Sequence, residues 1–228
     1  MSNLKTYLKN KADSLPFKRI GNFNIIFKNS FDKDINYKAV LQNLNRILPN
    51  GYIELIDVIY VGKFNYFEEN DFNALYKDGA MYISNVQDDE RDLEDDVVHE
   101  LAHAVEEKYG YIIYEDQQIK NNFLSKRATL KRILDSYDYN TAPYDFQEVE
   151  YNKKFDDFLY KEVGYDKLTM LTINLFLNSY SITSLREYFA TGFEEYYIGK
   201  IIDLKQVCPY VYDKLQNLEY MQEKENEL

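Results

Sequence analysis

The run Val97-Val98-His99-Glu100-Leu101-Ala102-His103-Ala104-Val105 sets two histidines four residues apart, with a glutamate directly after the first. They are the only 2 histidines of the chain. On a helix, residues four apart lie one turn apart on one face, about 6 Å along the axis, so both imidazoles can reach a single tetrahedral Zn2+. Glu100 is rotated off that line and is free to receive a proton from a water whose pKa the metal lowers. The chemistry this implies is hydrolysis of a polarised carbonyl.

Such a motif works only on a helix whose other face is anchored. Counting 100° per residue, Leu93, Val97, Val98, Leu101, Ala102, Ala104 and Val105 fill one half of the wheel. The other half holds Asp95, Asp96, His99, Glu100, His103, Glu106 and Glu107. The wheel therefore predicts that the histidines stand off the core among carboxylates. Asp95, Glu106 and Glu107 are nearest in angle and height to accept imidazole N–H groups. An ordinary solvated acidic face has the same look, but it seldom carries the only two histidines at ligand spacing.

A catalytic zinc needs a third protein ligand, and without another histidine it must be a carboxylate or, as a weaker choice, Cys208. Position 109 is tyrosine and position 106 is not glycine, so the extended metzincin pattern is absent. In Ser184-Leu-Arg-Glu187-Tyr-Phe-Ala-Thr-Gly-Phe-Glu194, Leu185, Phe189, Ala190 and Phe193 share one side and Glu187, Thr191 and Glu194 the other. Periodicity does not separate Glu187 from Glu194, Glu148 or Glu150. Ser184-x-x-Glu187 is also a capping-box pattern, in which the glutamate only satisfies a backbone N–H.

The elements that must hold these residues follow from local patterns. Phe23, Ile25 and Phe27 alternate with polar neighbours over 21–28, a strand. Val40, Leu41, Leu44 and Leu48 give a helix over 36–48, stopped by Pro49-Asn50-Gly51, and the apolar stretch 52–61 reads as a central strand. Strands 74–77 and 80–84 around Asp78-Gly79 form a hairpin with a type I′ turn. The strand 80–84, just before the motif helix, stands where zinc peptidases keep an edge strand that pairs with extended substrate, an ordinary hairpin being the alternative. Beyond Gly110 helices are expected over 121–135, 146–163, 167–177, 184–198 and 209–222, with Thr141-Ala142-Pro143 breaking the run. The change from mixed to helical patterning comes near residue 86, within one domain spanning 1–228 (1–85 α/β, 86–228 helical).

Composition narrows the partners. The 228 residues carry a net charge of −12, which disfavours nucleic acid and anionic membranes and points to a basic or neutral peptide. No apolar run reaches the roughly 18 residues of a membrane span, and Met1–Phe17 has no apolar core of a signal peptide, so a cytoplasmic site of synthesis is expected, with leaderless export as a further route. The 1 cysteine excludes an internal disulfide. The 23 tyrosines and 14 phenylalanines must fill much of the core.

Three blocks, in order, resemble the lethal-factor-like zinc metallopeptidases, the branch that includes the anthrax lethal factor catalytic domain and the clostridial Pro-Pro endopeptidases. His99-Glu-Leu-Ala-His103-Ala-Val-Glu-Glu with Gly110-Tyr-Ile-Ile is similar to their active helix and its exit. Glu187-Tyr-Phe-Ala-Thr-Gly-Phe resembles the Glu-x-Phe-Ala-x-x-Phe ligand helix, and Cys208-Pro-Tyr-Val-Tyr-Asp-Lys-Leu-Gln-Asn-Leu the chain end. The resemblance covers about the last 130 residues, with a gap. It implies a gluzincin-type endopeptidase in which His99, His103 and Glu187 hold Zn2+, Glu100 is the general base and Tyr180 donates to the oxyanion. The stretch between His103 and Glu187 is longer than in the family, with extra helical material over 126–164, and the secretory signal and receptor-binding domains of the toxin relatives are absent.

The expected architecture is α+β and zincin-like: a small mixed β-sheet with a hairpin edge strand packed on the active helix, then a mostly helical C-terminal half. The expected function is zinc-dependent cleavage of a protein or peptide substrate. The alternatives are a regulatory metallopeptidase acting on one cytoplasmic partner, and a non-catalytic binding or inhibitory module that keeps the fold.

Overall fold

The chain is described by a computed structural model, which covers residues 17–70 and 73–226. The segment Met1–Phe17, in which a leader was sought, lies outside the described residues apart from Phe17 itself. The chain divides into two compact units, Met1–Lys108 and Tyr109–Leu228.

The first unit is built on a five-stranded mixed sheet. Strand β1 (Phe17–Ile20) reverses at Gly21, whose φ of 57° suits a residue without Cβ, into β2 (Phe23–Phe27). Helix α1 (Tyr37–Ile47) follows, its first turn closed by the Asn36 side chain accepting from Ala39 N at 3.2 Å, with Val40, Leu41 and Leu44 buried. A helical turn α2 (Asn50–Ile53) leads to β3 (Val58–Gly62), then α3 (Asn65–Asn70) and the hairpin β4 (Ala74–Lys77) and β5 (Ala80–Ser84). The long helix α4 (Glu90–Tyr114) carries the histidine motif.

The strand order is β1-β2-β3-β5-β4, with β2, β3 and β5 parallel and β1 and β4 antiparallel at the two edges. One sheet face presents Ile25, Ile59, Val61 and Ile83, which share a small apolar gap with Leu41 of α1 and with Leu93 and Val97 of α4. The apolar half of the motif helix thus covers the sheet, and Val97, Val98, Leu101 and Val105 are fully buried. Each such side chain contributes roughly 1.5–3 kcal/mol by leaving water, which anchors the helix against rotation.

Two expectations for this unit need correction. The stretch 52–61 is not one strand: Tyr52, Ile53 and Glu54 donate to Pro49 O and Asn50 O, a helical turn, and only from Val58 does the chain extend. Tyr52 and Ile53 are the buried side of that turn, whereas Asn50 and Glu54 are exposed. Strand 80–84 is not an edge either. It pairs with β3 through all five residues, Val58↔Ala80 to Gly62↔Ser84, and with β4 on its other side. The edge on this side is β4, the first arm of the hairpin, turned by Asp78 and Gly79 at φ 50° and 79° as the type I′ reading requires. Strand β1 was not expected, because Phe17, Lys18 and Arg19 are exposed and offer no alternation to read.

The second unit is mostly helical. Helix α5 (Gln118–Ser136) contains the expected 121–135 and extends it at both ends. The chain then stays irregular to Asn152, where a helix had been expected from Phe146. The cause is Arg127 of α5, which is 1% exposed and stacked 4.1 Å from the Phe155 ring. Its guanidinium donates to Asp145 O at 3.2 Å and Glu148 O at 2.5 Å, and Leu185 N donates to Val149 O at 2.8 Å. Carbonyls directed at these donors are drawn out of the i→i+4 pattern of a helix. Helix α6 (Lys153–Asp157), capped by Asn152, continues as a π-helix (Phe158–Val163).

Helix α7 (Tyr165–Leu171) stops short of the expected Leu177, and Asn174 sits in the left-handed region at φ 61°. A 3-10 turn (Tyr180–Ile182) leads into α8 (Leu185–Tyr197), the ligand-type helix. Helix α9 (Ile201–Val207) was not expected, and α10 (Pro209–Asn226) completes the chain. Among the described residues no helix is long and apolar enough to cross a membrane.

Candidate metal centre

Helix α4 presents His99 and His103 on successive turns, with ring centroids 4.8 Å apart and planes at 86°. His99 is half-buried, whereas His103 and Glu100 are each only 7% exposed. The wheel had set all three off the core. The difference for Glu100 comes from the sheet edge: Tyr76 N on β4 donates to Glu100 Oε2 at 2.5 Å, so this strand covers the carboxylate. A wheel shows which face is polar, not what packs over it.

The carboxylates around the histidines divide by partner. Glu106 Oε2 stands 4.0 Å from His103 Nδ1, on the side expected for a group that orients the imidazole. Asp95 is instead taken by Arg91 Nε at 2.9 Å and is half exposed, and Glu107 is exposed. Asp96, not singled out from the wheel, accepts from Gln87 Nε2 at 2.9 Å and feels the charge of His99. Burial, helped by the charges of Asp92 and Asp95, pushes the Asp96 carboxyl up to about 6, although Gln87 and His99 pull it down.

Helix α8 begins at Ser184, whose Oγ accepts from Glu187 N at 3.1 Å. The cap and ligand readings of this sequence are not exclusive. The Glu187 backbone is the capped group, and its carboxylate joins the histidines: one donor atom from each of His99, His103 and Glu187 lies within 4.8 Å of the others. Among the described residues this is the one cluster of three such groups. The rival carboxylates are elsewhere. Glu148 Oε1 accepts from Val149 N and Glu150 N, Glu150 is exposed, and Glu194 is outside the cluster. Cys208 is fully buried 4.0 Å from Lys126 Nζ, and burial pushes its thiol up, so it is not a ligand candidate.

The donor set suits a metal ion. Three atoms within 4.8 Å of one another leave some point within about 2.8 Å of all three. Contraction by under about 1 Å would bring them to the 2.0–2.2 Å of zinc–nitrogen and zinc–oxygen bonds. Among the described residues, two imidazoles and one carboxylate supply three donors, one fewer than a tetrahedral ion takes.

Tyr180, the expected oxyanion donor, sits on the 3-10 turn just ahead of α8, half-buried, with its carbonyl accepting from Thr183 Oγ1 at 2.8 Å. A second phenol was not foreseen. Tyr151 is felt electrostatically by Glu187, and its hydroxyl donates to Asp156 Oδ2 at 2.9 Å. Nothing marks it among 23 tyrosines, and its place follows from the Arg127 strap.

Compared with protein-family models, with curated proteins and with solved structures, the chain gives no match.

Proposed function

We propose that the protein is a zinc-dependent endopeptidase of the gluzincin type, hydrolysing peptide bonds of a protein or peptide substrate. The observation that carries this reading is the grouping of His99, His103 and Glu187 donors within 4.8 Å, with Glu100 next to His99 in the same helix. The resemblance to lethal-factor-like peptidases supports the same ligand set.

Zinc held by these three groups would lower the pKa of a water and polarise the scissile carbonyl. Glu100 takes the proton of the attacking water and returns it to the leaving nitrogen. Tyr76 N–H holds Glu100 Oε2, which fixes the direction of the carboxylate that handles the proton. Tyr180, if its hydroxyl faces the scissile carbonyl, donates to the oxygen on which charge develops. The net charge of −12 favours basic or neutral substrates.

The test is cleavage of a peptide library by the purified protein beside Glu100→Ala, with metal content measured on both. The expected result is zinc in both proteins and cleavage by the wild type alone. A second reading has its own observation: the Tyr76–Glu100 bond gives Glu100 a part in the fold that needs no catalysis. A metal-binding module without hydrolysis is therefore the alternative, and zinc retention with no cleavage by the wild type would select it.

A further inference from the structure

Beside the Glu187 ligand, one carboxylate gathers two phenols. Asp156, on α6, accepts from Tyr151 at Oδ2, 2.9 Å, and from Tyr165 at Oδ1, 2.5 Å. Both its oxygens are therefore committed to tyrosine hydroxyls that come from opposite directions along the chain. A carboxylate with two O–H donors is a strong fixed point, because hydrogen bonds to an ionised group are about twice as strong as neutral ones.

Each phenol leads on to the site. Tyr151 lies two residues after Val149, whose carbonyl accepts from Leu185 N at 2.8 Å, so this segment runs beside the first turn of α8. The charge of Glu187 is accordingly among the influences that raise the Tyr151 hydroxyl, after burial and Asp156. Tyr165 leads to Tyr180 by its backbone. Its carbonyl accepts from Ser179 Oγ at 2.9 Å and from Thr169 Oγ1 at 2.9 Å, and Ser179 is 5% exposed and directly precedes Tyr180. Tyr180 in turn is felt by the Tyr165 hydroxyl. The result is a path Tyr151–Asp156–Tyr165–Ser179–Tyr180 that brackets the start of the ligand helix; within Tyr165 it runs from the hydroxyl that donates to Asp156 to the carbonyl that accepts from Ser179, and a peptide link joins Ser179 to Tyr180.

We propose that Asp156 is the positioning residue of this site, holding Tyr151 beside Glu187 and, through Tyr165 and Ser179, the turn that carries Tyr180. Asp156 acts through the phenols. Tyr151, 47% exposed, is the solvent-facing member of the pair, and its one hydroxyl hydrogen is given to Asp156. The inference rests on the peptidase reading for its kinetic consequence but not for its structural one.

The test therefore has two arms on the full-length, zinc-loaded protein. In the first, 3-fluorotyrosine is incorporated at position 180 and its 19F resonance is followed. Asp156→Asn and Tyr165→Phe should each move that resonance, and Tyr151→Phe should not. Tyr165→Phe removes a single hydroxyl, so it keeps the test valid should Asp156→Asn fold poorly. An unmoved resonance in Tyr165→Phe overturns the proposal whether or not the protein cleaves peptides.

In the second arm, Asp156→Asn should lower kcat about tenfold with little change in KM, and adding it to Tyr180→Phe should cost nothing further. A full additional tenfold loss in the double variant would mean that Asp156 does not act through Tyr180 and would overturn the inference. If the resonance moves as expected while no variant, wild type included, cleaves any peptide, the positioning path stands and the peptidase reading falls.

Discussion

Tyr76 N, on the outer strand of the sheet, donates to Glu100 Oε2 on the motif helix. In an antiparallel hairpin closed by a two-residue turn, pairs alternate between exchanging hydrogen bonds and not doing so. Lys77↔Ala80 flanks the turn and exchanges them, so the N–H of Tyr76, opposite Met81, points away from β5. Proline is tolerated at such an outward position. Tyr76→Pro should then leave the sheet folded while removing the donor to Glu100. A bond to a charged group is worth roughly 1.5–3 kcal/mol, so kcat should fall about ten- to a hundredfold. Tyr76→Phe, which keeps the N–H, should stay near wild type in the same assay. Equal losses in both variants would show that the Tyr76 hydroxyl, which accepts from Gly79 N, matters and the N–H does not.

The three ligands should act as a unit. His99→Ala, His103→Ala and Glu187→Ala should each reduce bound zinc from about one equivalent to a small fraction at micromolar free metal, measured by atomic absorption after dialysis. Because the ion binds the folded chain, a chelator should lower the wild-type melting temperature and leave the three variants unmoved. Glu194→Ala should retain full zinc.

Asp96 makes stability depend on pH. Its folded carboxyl titrates near 6 against an ordinary value of 3.8, so the fold favours the protonated form. Between those values the native state binds more protons than the unfolded one, and stability falls as pH rises through this window. Asp96→Asn still accepts from Gln87 but carries no charge. In urea unfolding of the metal-free protein it should be more stable than wild type above pH 6, by on the order of 2 kcal/mol, with the gap closing below pH 4.

Lys126 is 8% exposed and donates to Leu175 O at 2.7 Å and to Val207 O, with the Phe176 and Tyr188 rings 5.6 and 5.4 Å away. Lys126→Met fills the space but leaves two carbonyls without their donor, which should cost about 2–4 kcal/mol. Burial pulls the Lys126 ammonium below the ordinary lysine value of 10.5. In that depressed range the unfolded chain binds the extra proton, so wild-type stability relative to Lys126→Met should grow as pH rises toward 10.5. Chemical unfolding at pH 7 and pH 10 measures the change.

The parts that were legible in the chain are those set by short-range chemistry. Asp78-Gly79 dictates its own turn, and the apolar stripe Leu93–Val105 dictates the helix that carries the histidines. Glu187 stayed tied with three other glutamates because a wheel orients a side chain within its helix and says nothing of the neighbouring element. The strap by Arg127 was invisible for the same reason. A buried arginine that binds the carbonyls of Asp145 and Glu148 overrides a helical pattern beginning at Phe146. The edge of the sheet depends on which strand β3 chooses as its neighbour, and nothing in the hairpin itself records that choice.

Gly192 lies five residues beyond Glu187 on α8, and a Cβ there would come within 2.6 Å of Val211 Cγ1 on α10. Helix α8 is therefore seated with no slack on its far side, and the entropy of ordering it is lost when the chain folds, before any ion arrives. The carboxylate can adjust by rotating its own side chain, while close packing against α10 holds the backbone that carries it. Ions that tolerate few, short bonds should be preferred over large ones that need a cage to close around them, so calcium should compete poorly with zinc even at high excess.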